Sequence, residues 1–133
     1  MTSTMADPIV PISWGELFDK IAILEIKRVR LLSPDAIANA EHELAALRPS
    51  LTALGSLSED LTALRTALAA VNERLWVIED RIREKEAQGD FGAEFVALAR
   101  SVYRENDERG RIKRAINTLL GSVLIEEKQY TAY

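Results

Sequence analysis

From Leu57 to Ile82 the apolar residues of this chain fall in an unbroken alternation of four and three: Leu57, Leu61, Leu64, Leu68, Val71, Leu75, Ile78, Ile82. Two apolar residues in seven is the heptad seam, and no proline or glycine interrupts it. One long helix is the only regular structure it fits. About 26 residues span roughly 39 Å at 1.5 Å per residue, and so narrow a stripe needs an equally long partner. The partner follows at once. Phe95, Leu98, Val102, Ile112, Ile116, Leu119 and Val123 repeat the spacing, with Glu105 and Arg109 at two intervening seam positions. Gln88, Gly89 and Asp90 leave only a short turn between the two, which makes them antiparallel neighbours. Pairing outward from that turn sets Ile82 near Phe95, Ile78 near Leu98, Leu75 near Val102, and Asn72 level with Asn106.

At 133 residues the chain fits a single domain, 1–133, with an extended lead-in over 1–12 and a tail over 124–133. Cysteine is absent, which excludes disulfides, thiolate nucleophiles and thiolate metal sites. Residues 1–13 carry neither the basic start nor the apolar core of a signal peptide, and no run approaches 18 apolar residues. A cytoplasmic protein without a membrane span is the expectation. A net charge of -4 argues against nucleic acid as a partner, because neutralising phosphates takes a clustered cationic face.

Upstream of the hairpin, Pro8 and Pro11 mark the lead-in, pinned by Ile9, Val10 and Ile12. Ser13 and Glu16 form an S-x-x-E capping box, in which hydroxyl and carboxylate each satisfy an amide at the start of a first helix. That helix runs through Trp14, Leu17, Phe18, Ile21, Leu24, Val29 and Leu32, an arc wide enough to touch two neighbours. A second, shorter helix spans Asp35 to about Leu47 and is closed by Pro49. Residues 49–56 read as a loop, after which Ser56 and Glu59 repeat the capping pattern. The fold class is all-α: a long antiparallel hairpin with two shorter helices packed on it, four-helix-bundle-like.

Polar residues interrupt the apolar pattern halfway along the hairpin. Asn72 and Glu79 flank the third helix seven residues apart, while Glu105, Asn106, Arg109 and Lys113 line the facing stretch of the fourth. Glu25 lies inside the first helix's arc, four residues from both Ile21 and Val29, so it is expected to reach Arg109 or Lys113. Glu25, Asn72, Glu79, Asn106, Arg109 and Lys113 are the candidate ligand-binding set. The same layer reads first as a polar network that fixes helix register, as a single seam asparagine does in coiled coils. Arg109, Arg111, Lys113 and Arg114 are a possible anion site if the amides of Trp14, Gly15 and Glu16 lie beside them. Trp14, Trp76, Tyr103 and Tyr130 are expected in the core, at an interface or on the tail.

No catalytic residue is assigned and no cofactor is implied. Adjacent carboxylates such as Glu79-Asp80 and Glu126-Glu127 point about 100° apart on a helix and make no metal pair by themselves. The lone histidine, His42, lacks the Glu-x-x-His context of a di-iron bundle. A carboxylate-only magnesium site stays open as a further reading. There is no glycine-rich phosphate loop and no Ser-His-Asp set.

Three stretches, PISWGELFDKIAILEIKRVRL, VNERLWVIEDRIREKE and FVALARSVYRENDERGRIKRAIN running into GSVLIEEKQY, resemble an uncharacterised family of small all-helical bacterial domains. The resemblance implies an accessory role near or fused to glycosyltransferases of cell-surface sugar systems. It marks Gly15, Glu16, Asp19, Lys20, Glu25, Asn72, Trp76, Glu79, Asp80, Arg100, Tyr103, Asn106, Asp107, Lys113, Asn117, Glu126, Glu127, Lys128 and Tyr130. Gln129 departs from the pattern, where serine is usual. Gly110 stands where a helix former is expected, at a cost of about 1 kcal/mol. The function expected is a non-enzymatic helical interaction module, a homodimer or a binder of another protein. The alternative is a small domain that binds or transforms a phosphorylated or carboxylated metabolite through the mid-bundle polar layer.

Overall fold

The structure, a computed structural model, describes residues 4–133. Those residues form four α-helices: α1 (Trp14–Arg30), α2 (Pro34–Thr52), α3 (Glu59–Gln88) and α4 (Ala93–Leu120). The fold is all-α, as the heptad seam requires. Gly89 takes a left-handed φ of 67° and ends α3, and the chain reverses into α4 over a few residues. Across the hairpin Arg74 reaches Glu105 at 3.0 Å and Lys85 reaches Glu94 at 3.0 Å, the antiparallel register expected from the turn.

The lead-in and three helix boundaries differ from what the sequence pattern predicts. The lead-in is not pinned: Ile9 is fully exposed and Val10 largely so; its first three residues lie outside the described residues. Helix α1 stops at Arg30, and Val29 and Leu32 face solvent, so its apolar arc is narrower than the sequence reading drew it. Helix α2 runs through Pro49 to Thr52, because a proline near the last turn removes only one ladder bond. Ser58, rather than Ser56, caps α3 by accepting from the Leu61 amide at 3.1 Å.

The element at the centre is α1, although α3 carries the longest pattern. Helix α1 packs against the other three, whereas α2 packs only against α1. Phe18, Ile21 and Leu24 of α1 meet Leu44 of α2, Leu68 and Val71 of α3, and Ile116 of α4 in one core. Each such fully buried side chain stabilises the fold by about 1.5–3 kcal/mol. At 17 residues α1 covers only part of a hairpin whose arms have 30 and 28 residues. Beyond it, between Trp76 and Val102, Leu98 is the only buried residue. No helix among the described residues is long and apolar enough to cross a membrane.

Candidate functional site

The start of α1 lies directly against α4. A Cβ added to Gly15 would come within 2.4 Å of the Lys113 carbonyl oxygen, so only glycine allows the two backbones to approach this closely. The approach lets α4 and the segment after it cap α1. Asn117 Oδ1 accepts from the Gly15 amide at 2.7 Å, Ser122 Oγ from the Trp14 amide at 2.9 Å, and Ser13 Oγ from the Glu16 amide at 3.1 Å. The amides expected to form an anion site do lie beside Lys113. The protein's own side chains already occupy them.

Glu16 supplies the next step. Only the hydroxyl half of the capping box forms, because the Glu16 carboxylate turns instead to Lys113 Nζ at 2.7 Å. Lys113, only 8% exposed, also donates to Glu126 at 3.0 Å and lies 3.7 Å from Asp19. Asp19 is buried and accepts from Asn72 Nδ2 at 2.9 Å, while Asn72 Oδ1 accepts from Arg109 at 3.3 Å. The result is one continuous network joining α1, α3, α4 and the tail. It holds three carboxylates against two cations, so its field does not favour a further anion at Lys113.

Asn72, Arg109 and Lys113 therefore come together as expected, and three candidates do not join them. Glu25 points the other way, to Arg65 at 3.3 Å and Arg48 at 3.7 Å, where it links α1 to α2 and α3. The apolar arc around it is open on the side of exposed Val29. Glu79 stays on the surface of α3 and pairs with Arg83 one turn later. Asn106 lines a neighbouring cleft, and Arg109 takes the place opposite Asn72. Arg111 and Arg114 are solvated in pairs with Glu108 and Glu127. Trp14 is half-buried against the core, and Trp76 is half-buried on the hairpin. Tyr103 packs edge-on against Tyr133, and Tyr130 is exposed on the tail. Among the described residues no group of three or more histidine, aspartate and glutamate side chains gathers as a metal site.

Asp19, Asn117 and Glu126 complete the network without belonging to the candidate ligand-binding set, although the family resemblance marks all three. Asp19 carried a signal: Gly15 and Ile23 lie four residues away on either side and Ala22 three, the same apolar enclosure that drew attention to Glu25. Ser122 carried none, since it follows the helix-ending Gly121, which has a φ of 65°.

Charge makes the network pH-dependent. Burial alone would raise the Glu16 carboxyl, but the hydrogen bond and charge of Lys113, aided by Lys20 and Arg109, hold it below its ordinary 4.5. Burial alone would lower the Lys113 ammonium, but its bonds to Glu16 and Glu126 and the charge of Asp19 lift it above its ordinary 10.5. A depressed acid contributes stability above its unfolded value and loses it as pH falls through the folded one. A raised base contributes below its unfolded value and loses it as pH rises through the folded one. Resistance to urea should therefore stay level between these limits and fall on both sides, below about pH 4.5 and above about pH 10.5. Glu16→Gln should shorten the acid limb. An unchanged acid limb in that variant would remove the Glu16 pair from the account.

No curated protein and no solved structure matches the chain. The polar network and the glycine contact lie within residues 9–133, over which the chain belongs to a family described as "Family of unknown function (DUF6165)".

Proposed function

We propose that this protein is a non-enzymatic helical interaction module, and that the surface it offers is the projecting end of the α3–α4 hairpin, which a second copy covers. One observation carries the reading. From Trp76 to Val102 the heptad seam continues while α1 and α2 do not, so Ile78, Ile82 and Phe95 are only half-covered. Val77, Phe91 and Val96 stand 43%, 55% and 51% exposed on the same projection. Two helices enclose a seam on one side only. Two hairpins laid together make a four-helix arrangement that encloses it fully, and a two-fold contact between identical surfaces closes without leaving an open edge.

The closed polar network supports the same reading over a metabolite site at Lys113. Lys113 already holds Glu16 and Glu126, so its evident work is to fasten α1 and the tail to the hairpin. The accessory role implied by the family resemblance would use the projecting end as well.

Sedimentation of the purified chain tests the proposal. The wild type should run at twice the chain mass at micromolar concentration, and Val96→Glu should run as a monomer with its helical content unchanged. A wild type that stays monomeric up to about 100 μM, or a Val96→Glu variant that stays dimeric, would overturn it.

A further inference from the structure

The tail does not leave the bundle at Gly121. It turns back along α4, held by Glu126 on Lys113, Glu127 on Arg114, and the Tyr133 hydroxyl donating to Asp107. Between tail and helix it leaves a cleft of about 590 Å³, within the size range of small-molecule sites. Tyr103, Tyr130, Tyr133, Asn106, Arg109 and Lys128 all line it.

The charges in this cleft differ from those around it. Arg111, Lys113 and Arg114 on the same helix each have a carboxylate partner. Arg109 and Lys128 have no described carboxylate within 4.0 Å. Arg109 gives one Nη to Asn72, and its Nε is buried with no partner, which is costly for a charged donor. Asp107 is the acidic side chain lining the cleft and already receives the Tyr133 hydroxyl, so the lining side chains sum to one positive charge. Tyr103 and Tyr133 meet edge-on with centroids 5.0 Å apart and form an aromatic wall. Tyr130 is free to close on a ring from the tail side, since it is 75% exposed.

We infer that the cleft between α4 and the tail binds a small aromatic carboxylate, its ring against the tyrosines and its carboxylate on Arg109 and Lys128. A single negative charge matches the lining. Arginine meets a carboxylate as a planar fork, and lysine meets it as a point charge. Aromatic rings prefer the edge-on and offset contacts that the tyrosine pair presents. The cleft meets the dimer surface only at Val102, and its other lining residues lie farther from the hairpin turn.

The test is a titration of the full chain with 4-hydroxybenzoate, followed by NMR shifts of the tyrosine ring protons. Acetate supplies the charge without the ring, and 4-hydroxybenzyl alcohol the ring without the charge. Saturable binding at millimolar concentration or tighter is expected, with each control at least tenfold weaker. Lys128→Gln and Tyr130→Ala change exposed tail residues that the core does not use, and each should weaken binding at least fivefold. Repeating the titration in Val96→Glu should give the same affinity whether or not the dimer forms. Absence of saturation, equal binding of either control, or indifference to both tail variants would overturn the inference.

Discussion

Replacing Lys113 by methionine is expected to cost about 3 kcal/mol of unfolding free energy, because methionine fills the space of the lysine stem but leaves the carboxylates around it without their cation. Asp19 is the most exposed to this loss in energetic terms, being buried with only the Asn72 amide left to it. Glu16 would lose its 2.7 Å partner and Glu126 its anchor, which frees the tail from α4. The pH dependence distinguishes this mechanism from a packing defect. In the variant Glu16 keeps the burial that raises its carboxyl and loses the cation that holds it low, so the deficit should be smaller at pH 5 than at pH 8. Adding Asp19→Asn to the methionine variant should restore part of the stability, since the neutral amide keeps the contact with Asn72 and removes one charge. Urea unfolding at the two pH values measures both effects. A loss below about 1 kcal/mol, or one equal at both pH values, would show that the network contributes little as an ion cluster.

Gly15→Ala is expected to be nearly as damaging, about 3 kcal/mol or roughly 10 °C in Tm. Intrinsic helix propensity argues the opposite sign, since alanine is favoured over glycine by about 1 kcal/mol inside a helix. The clash decides. The new Cβ would lie 2.4 Å from the Lys113 carbonyl oxygen and 2.9 Å from Asn117 Oδ1, and a backbone carbonyl inside α4 has nowhere to retreat. Helix α1 must then lift from α4, which opens the Gly15–Asn117 bond and draws Glu16 away from Lys113. Gly110→Ala is the control. An added Cβ there meets nothing closer than Lys128 Nζ at 3.9 Å, so propensity should win and the variant should be slightly more stable. Thermal unfolding of the two alanine variants side by side gives the answer. If both gained stability, the close approach of α1 and α4 would not be a feature of the folded protein.

The anion site expected at the start of α1 shows how a correct juxtaposition can carry the wrong chemistry. Trp14, Gly15 and Glu16 do lie beside Lys113. Whether such amides are open to a ligand depends on what else arrives, and here Asn117 and Ser122 arrive from more than 100 positions away in the chain. Glu25 and Asp19 make the complementary point. Both are acids next to apolar residues on one helix, and only the rotation of α1 against its neighbours sends Asp19 to Asn72 and Glu25 to Arg65.

Local periodicity encodes one part of the fold: a heptad seam from Leu57 to Ile82, its repeat downstream and Gly89 between them oblige two long helices to pair antiparallel. The Asn72, Arg109 and Lys113 layer was legible for the same reason, since polar residues that interrupt a periodic stripe stand out against it. Long-range packing makes α1 the central helix, brings Gly15 against α4, and completes the polar network with Asp19, Asn117 and Glu126. Those contacts depend on how one helix is rotated and set down on two others, and that choice is made by the sum of many small packing terms across the whole chain. No window of sequence holds that sum.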